Sequence, residues 1–214
     1  MVLPTLDSSP SGLMSVDRRD FVKVCSMAAA AVGLPAEAAA KFAENAAQGL
    51  KPSVIWLHNQ ECTGCTESLL RTHHPALDEL ILDLISLDYH ETLMVAAGHQ
   101  AEEVRKAAME QNKGSYILVI EGAIPMKDDG VYCKIGGQTS IDLVREVAED
   151  AGAIIAIGSC ASWGGIPSAA PNPTGAVGAP TLLEGKTVVT IPGCPSNPYN
   201  FLGVALQYAT FGTL

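Results

Sequence analysis

The chain has 214 residues, a formal net charge of −10, and 48% hydrophobic against 17% charged side chains. That is enough for one well-buried domain with an appendage, and a mean hydropathy of +0.22 implies that much of it is buried or covered by a partner. The acidic balance excludes nucleic acid and an anionic membrane surface as the main ligand.

The first 50 residues differ in composition from the rest. Asp17-Arg18-Arg19-Asp20-Phe21-Val22-Lys23 pairs two arginines with an aromatic and a lysine, and an apolar stretch from Val24 to Leu34 leads into an alanine-rich segment ending at Ala47. The pattern resembles a twin-arginine export signal, the route of proteins that fold and take up cofactors before crossing the membrane. An ordinary alanine-rich amphipathic helix is the alternative. The apolar run falls short of the ~20 residues that span a bilayer. Several Ala-x-Ala patterns between Ala36 and Ala47 leave the cleavage point open, and Cys25 is expected to leave with the signal. Residues 1–50 are read as signal and linker, and residues 51–214 as one domain. The expected location is periplasmic, with any membrane association made through partners.

Val54 to Leu57 reads as a buried strand, and Thr66 to Leu70 as the first turns of a helix. Cys62 and Cys65 therefore sit where a strand hands over to a helix, at the edge where open α/β sheets bind ligands. Unpaired N–H groups there are expected to favour thiolate over thiol. Leu80 to Leu87 is a second apolar run, ending at Asp88-Tyr89-His90. Gln100 to Gln111 reads as a surface helix with Val104, Ala107 and Ala108 on its apolar side. Tyr116 to Ile120 is the third strand, closed by Glu121-Gly122, and Gly130 to Gly137 a short excursion. Thr139 to Ala151 turns Ile141, Val144, Val147 and Ala148 to one helical face. Ala153 to Ile157 is the fourth strand and runs into Gly158-Ser159-Cys160. A long loop spans Gly164 to Pro180. Thr187 to Ile191 is the fifth strand, entering Pro192-Gly193-Cys194-Pro195, and Asn200 to Tyr208 reads as a closing helix. Near-continuously apolar strands alternating with helices imply a flavodoxin-like, doubly wound parallel sheet covered on both faces.

The six cysteines lie at 25, 62, 65, 133, 160 and 194 and do not look like a small disulfide framework. Cys62 and Cys65 follow the first strand, Cys160 the fourth and Cys194 the fifth. In a parallel sheet these strand ends share one edge, so four distant thiols can converge. Gly64, Gly158 and Gly193 let the backbone approach a bulky group. Four thiolates suit tetrahedral zinc or an iron–sulfur cluster. One close pair plus two cysteines on separate loops is a wide frame, better matched to a cluster. Zinc, a Cys62/Cys65 thiol–disulfide pair and inert core cysteines remain alternatives at this stage.

The strings HNQECTGCTESLL, ISLDYHETLM, EGAIP, GSCASWGG, PNPTGA and PGCPSNPYN together resemble the small subunit of nickel–iron hydrogenases, over roughly Pro52 to the end. The resemblance implies an electron-transfer subunit whose flavodoxin-like domain carries a proximal 4Fe-4S cluster at the C-terminal edge of its sheet. The hydrogen-activating metal belongs to a large-subunit partner, and the electrons continue to a cytochrome or other acceptor. Carried over motif by motif, the ligands are Cys62 and Cys65, Cys160 and Cys194. Glu61 matches a family acid implicated in proton passage between subunits, with a solvent-exposed acid as the plainer reading. Oxygen-tolerant members carry two extra cysteines where Gly64 and Gly165 stand here, which implies the standard type. Cys133 is read as a small buried hydrophobe, His58 as a satisfied group behind the ligands, and His73 and His74 as lying near the first helix's end. His90 is expected at the subunit interface, and Trp56 and Trp163 in packing. Asn59 to Thr66, Ser159 to Pro167 and Pro192 to Asn200 would then form one apolar interface to the large subunit. Family members normally continue beyond this length with medial and distal clusters, which find no residues here. The two other readings are a thiol–disulfide oxidoreductase using Cys62 and Cys65 and a zinc-stabilised binding domain.

Overall fold

The computed structural model describes residues 51–73 and 76–214, with scattered positions between Lys23 and Glu44. The paired arginines, Cys25 and His74 lie outside the described residues. Five parallel strands form the central sheet: β1 (Ser53–His58), β2 (Ser86–His90), β3 (Ile117–Glu121), β4 (Ala153–Ile157) and β5 (Val189–Ile191). Their order is β2-β1-β3-β4-β5, the flavodoxin-like winding. Between them run α1 (Gly64–Leu69), α2 (His99–Gln111), α3 (Ser140–Glu149) and α4 (Gly158–Trp163), and α5 (Pro198–Phe211) follows β5.

The strands are apolar throughout because alternate side chains enter two different cores. Val54 and Trp56 of β1, Ile117 and Val119 of β3, and Ile155 and Ile157 of β4 pack with Leu69 of α1 and Phe201, Leu202, Ala205 and Leu206 of α5. Ile55, Leu57, Leu118, Ile120, Ile154 and Ala156 face the other way, onto Ala108 of α2 and the buried side of α3. Each fully buried aliphatic or aromatic side chain contributes about 1.5–3 kcal/mol, so the two-sided sheet is the stabilising centre of the molecule. Helix α3 presents the expected Ile141, Val144, Val147 and Ala148, joined by Leu143, and begins at Thr139, whose hydroxyl accepts the Asp142 N–H. Asn197 caps α5 by accepting from Tyr199 N–H.

Four local expectations differ from what is observed. The Leu80–Leu87 run is not one strand: a helical turn at Leu77–Glu79 and a π-helical turn at Leu80–Leu84 precede β2. Leu80 and Leu84, four apart, turn into the core, so helical spacing governs that half of the run. In α2 the inward residues are Arg105 and Ala108, while Val104 is 37% exposed and Ala107 is exposed. Arg105 takes the core-facing place because Glu102, Glu146 and Gln138 accept its N–H groups there. Cys160 belongs to the first turn of α4 rather than to a loop. Trp163 at the end of that helix is 59% exposed, not a packing residue.

Candidate functional site

Because the strands are parallel, His58, Glu121 and Ile157, the last residues of β1, β3 and β4, stand side by side in register. The segments beyond them and beyond β5 enclose a cavity of about 200 Å³ lined by Glu61, Cys62, Cys65, Glu121, Cys160 and Cys194, with Ile157 and Pro195 as apolar wall. All four thiols named from the sequence thus share one cavity, although their ranges span 62 to 194. Cys62 and Cys194 are exposed, Cys65 and Cys160 half-buried, and all four are free thiols. Cys133 is also free and half-buried, and it does not line this cavity.

The backbone makes room for the sulfurs. Gly158 adopts φ +80°, and a Cβ there would stand 2.5 Å from Cys65 Sγ. Any other residue would close the cavity onto the thiol and pay for a left-handed backbone as well. At Gly64 and Gly165 a Cβ would meet Cys62 Sγ at 3.0 Å and Cys160 Sγ at 2.9 Å, so both glycines abut the thiols.

Glu121, read in the sequence only as a strand closer, is central here. It is 1% exposed. Its side-chain oxygens accept the N–H of Cys65 at 3.0 Å and of Thr66 at 3.3 Å, the Thr66 hydroxyl at 2.6 Å and Trp56 Nε1–H at 2.9 Å. The N–H groups at the start of α1 are therefore taken up by Glu121, contrary to the expectation that they are unpaired and favour thiolate. Burial instead pushes the Cys65 and Cys160 thiols up, aided by neighbouring acids and thiols. A cationic group seated among them would reverse that direction by drawing the protons off the sulfurs.

Behind the cavity lies a buried polar chain. Glu61 Oε1 is 3.1 Å from His58 Nδ1, and its side chain is 12% exposed; it is an enclosed acid, not a solvated one. His58 Nε2 approaches His90 Nδ1 at 3.4 Å, and His90 Nε2 meets the Thr66 hydroxyl at 3.3 Å. His90 is 1% exposed, so it belongs to the interior and not to an outer face. Burial opposes charge on His58, but the hydrogen-bonded Glu61 and the charges of Glu121 and Glu91 outweigh it and raise its pKa. Burial and the charge of His58 hold His90 down to about 3, and burial drives Glu91 up to about 7.

The donor set tests which group could sit here. Four soft sulfurs, two acids and no basic residue line the cavity, which suits a thiophilic cation and not calcium or magnesium. Among the described residues no group of three His, Cys, Asp or Glu side chains closes around a single-ion position. The four thiols instead line one cavity together, a donor set that a thiolate-bound cluster could use. Glu121 escaped sequence reading because it ends an apolar run. The signal that could have found it is that an acid closes a fully buried strand at the edge where the cysteines gather.

Comparison with known proteins gives a consistent result. Residues 62–208 match the family model described as NADH ubiquinone oxidoreductase, 20 Kd subunit. The chain is 53% identical over 197 residues to the hydrogenase-2 small chain of Escherichia coli K12, covering 92% of this chain and 53% of that protein. It is 46% identical to the periplasmic [NiFe] hydrogenase small subunit 1 of Nitratidesulfovibrio vulgaris, covering 90% of this chain and 61% of that one. Among solved structures, the [NiFeSe] hydrogenase of Desulfovibrio vulgaris Hildenborough superposes with a TM-score of 0.71 at 39% identity, over 73% of this chain and 58% of the other. The chain thus spans little more than half the length of these relatives.

Proposed function

The chain belongs to the NADH ubiquinone oxidoreductase 20 Kd subunit family, among its nickel–iron hydrogenase small subunits, and from that premise we propose that it is the electron-relay subunit of a nickel–iron hydrogenase. Cys62, Cys65, Cys160 and Cys194 would hold a 4Fe-4S cluster, and a large-subunit partner would carry out H2 ⇌ 2 H+ + 2 e−. The observation that carries this reading is the single cavity shared by the four thiols. When bound, the cluster takes up and releases one electron at a time.

The chain's own residues do the rest. The cysteines supply thiolate sulfur from three separate segments, and Glu121 holds the Cys65 amide and the first turn of α1 in place. Glu61, hydrogen-bonded to His58 on one side and lining the cavity on the other, would hold a proton between the rim and the interior. Trp163 and Ile166, 59% and 75% exposed, lie just beyond Cys160 and offer the partner an apolar surface that would shield the cluster from water and oxygen. A thiol–disulfide function would employ only two of the four lining thiols.

Export by the twin-arginine route to the periplasm is part of the proposal. It rests on Arg18, Arg19 and the apolar stretch after them. Among the described residues no helix is long and apolar enough to cross a membrane. The acceptor, a cytochrome or other electron carrier, would receive electrons from the cluster side of the complex.

The deciding measurement is the iron and acid-labile sulfide content of the chain purified anaerobically with its large subunit. About four sulfides per complex are expected, and about four irons beyond the one that the large subunit's nickel–iron site would add, the 4Fe-4S stoichiometry. Stoichiometric zinc without sulfide, or metal-free protein with a reducible disulfide, would overturn the reading.

A further inference from the structure

Buried polar atoms in folded proteins almost always find a partner, and a lone one is destabilising. Four buried side-chain atoms among the described residues have none: Asn59 Oδ1, Glu61 Oε2, Ser140 Oγ and Ser196 Oγ. Three of them flank the cysteine segments, and of those three Ser196 is the most enclosed, at 1% exposed. It closes the tight turn around Cys194, bridging back to Gly193.

The position of Ser196 relative to α1 is set by a separate contact. Ser68 Oγ donates to the Ser196 carbonyl at 2.9 Å. Ser68 lies three residues after Cys65, so the two side chains share one face of the helix. Ser196 is thereby held against the face that carries Cys65.

We infer that Ser196 is a positioning residue whose hydroxyl donates a hydrogen bond to the Cys65 sulfur once that sulfur is an iron-bound thiolate, raising the reduction potential of the cluster. The inference rests on the reading of the cavity as a 4Fe-4S site. The physical cause is that a proton donor at the sulfur stabilises the more negative, reduced cluster over the oxidised one. The same bond satisfies a hydroxyl that is otherwise orphaned, so the turn after β5 is completed by the group it helps to hold.

The test uses the complex of the chain with its large subunit and reads the cluster midpoint potential by redox titration monitored by electron paramagnetic resonance. Ser196→Ala and Ser196→Val should move the midpoint to more negative values with iron and sulfide retained, while Ser196→Thr, close in shape to Val but keeping the hydroxyl, should hold it near the unsubstituted value. A purely packing role predicts that Thr and Val behave alike. Equal midpoints in Thr and Val, or loss of the cluster from Thr as well as Val, would overturn the inference. Absence of iron and sulfide from the unsubstituted complex is a different failure: it defeats the reading of the site itself, and this inference with it.

Discussion

Two clusters of buried polar side chains are built on opposite principles. Around Arg105, which is fully buried, the guanidinium donates to Glu102 at 3.0 and 3.1 Å, to Gln138 at 3.3 Å and to Glu146 at 3.4 Å. Gln138 in turn donates to Glu146, and Tyr89 to Glu102. No atom of this group is among the buried ones left without a partner. At the cysteine edge Asn59, Glu61 and Ser196 each have a buried atom with no partner, burial keeps the Cys65 and Cys160 thiols from ionising readily, and glycines hold space open. A satisfied cluster joins α2 to α3 and stabilises the fold. The unsatisfied one lies where the iron–sulfur cluster is proposed to bind.

Four experiments can break or sharpen this contrast. The largest effect is expected from Cys160→Ser in the purified complex: nearly all acid-labile sulfide should be lost while the helical circular dichroism signal stays, because a neutral hydroxyl is a poor iron ligand. Full retention of sulfide would remove Cys160 from the set. Next comes Arg105→Met, which strands Glu102 and Glu146. It should lower the unfolding free energy by about 3 kcal/mol, the low end for a broken buried pair because Glu146 is partly exposed, and folded molecules should still carry the cluster. Sulfide loss per folded molecule matching that of Cys160→Ser would erase the distinction between the clusters.

A third experiment concerns pH. Glu91 has its folded pKa raised from 4.5 to about 7, so between those values the folded chain binds a proton that the unfolded chain has released, and stability falls as pH rises through this window. His58, also raised, acts in the same direction above its unfolded value of 6.5; His90, lowered to about 3, acts oppositely between 3 and 6.5. Glu91→Gln should remove about 2 kcal/mol of the decline between pH 5 and 7, read from denaturant midpoints. An unchanged slope would show that Glu91 is not buried as described. The smallest effect is expected from Cys133→Ala, a half-buried thiol away from the cavity. About 1 kcal/mol or less should be lost, with iron and sulfide unchanged; equal cluster loss from Cys133→Ala and Cys160→Ser would mean a different set of four thiols.

How much of this was legible beforehand depended on how local the physics is. Ala153–Ile157 read as a strand and is one, residue for residue, and α3 showed its buried face by spacing alone. Both patterns arise from side-chain periodicity, which is written along the chain. The five-strand parallel sheet followed from the alternation of apolar runs and helices, and the edge that gathers the thiols followed from the sheet. Cys62, Cys65, Cys160 and Cys194 could thus be named together from sequence, because a parallel sheet leaves the ends of its strands no other common place to lie.

What only the tertiary structure decided is where atoms from distant elements meet. Leu80–Leu87 is divided between a helical turn and β2 because Leu80 and Leu84 find the core at helical spacing, a choice that depends on what packs opposite. Arg105 faces inward because acids on α2 and α3 and the Gln138 amide just before α3 converge on it. Trp163 and His90 exchange their expected places, one outside and one inside, for reasons of neighbourhood that no sequence window contains. Glu121 becomes the anchor of the Cys65 turn only when β3 lies beside β1. Ser196 meets the face of α1 that bears Cys65 only when the turn after β5 folds back on that helix. Periodicity is a property of neighbours along the chain, whereas a hydrogen bond between residues 65 and 121 is a property of the closed sheet.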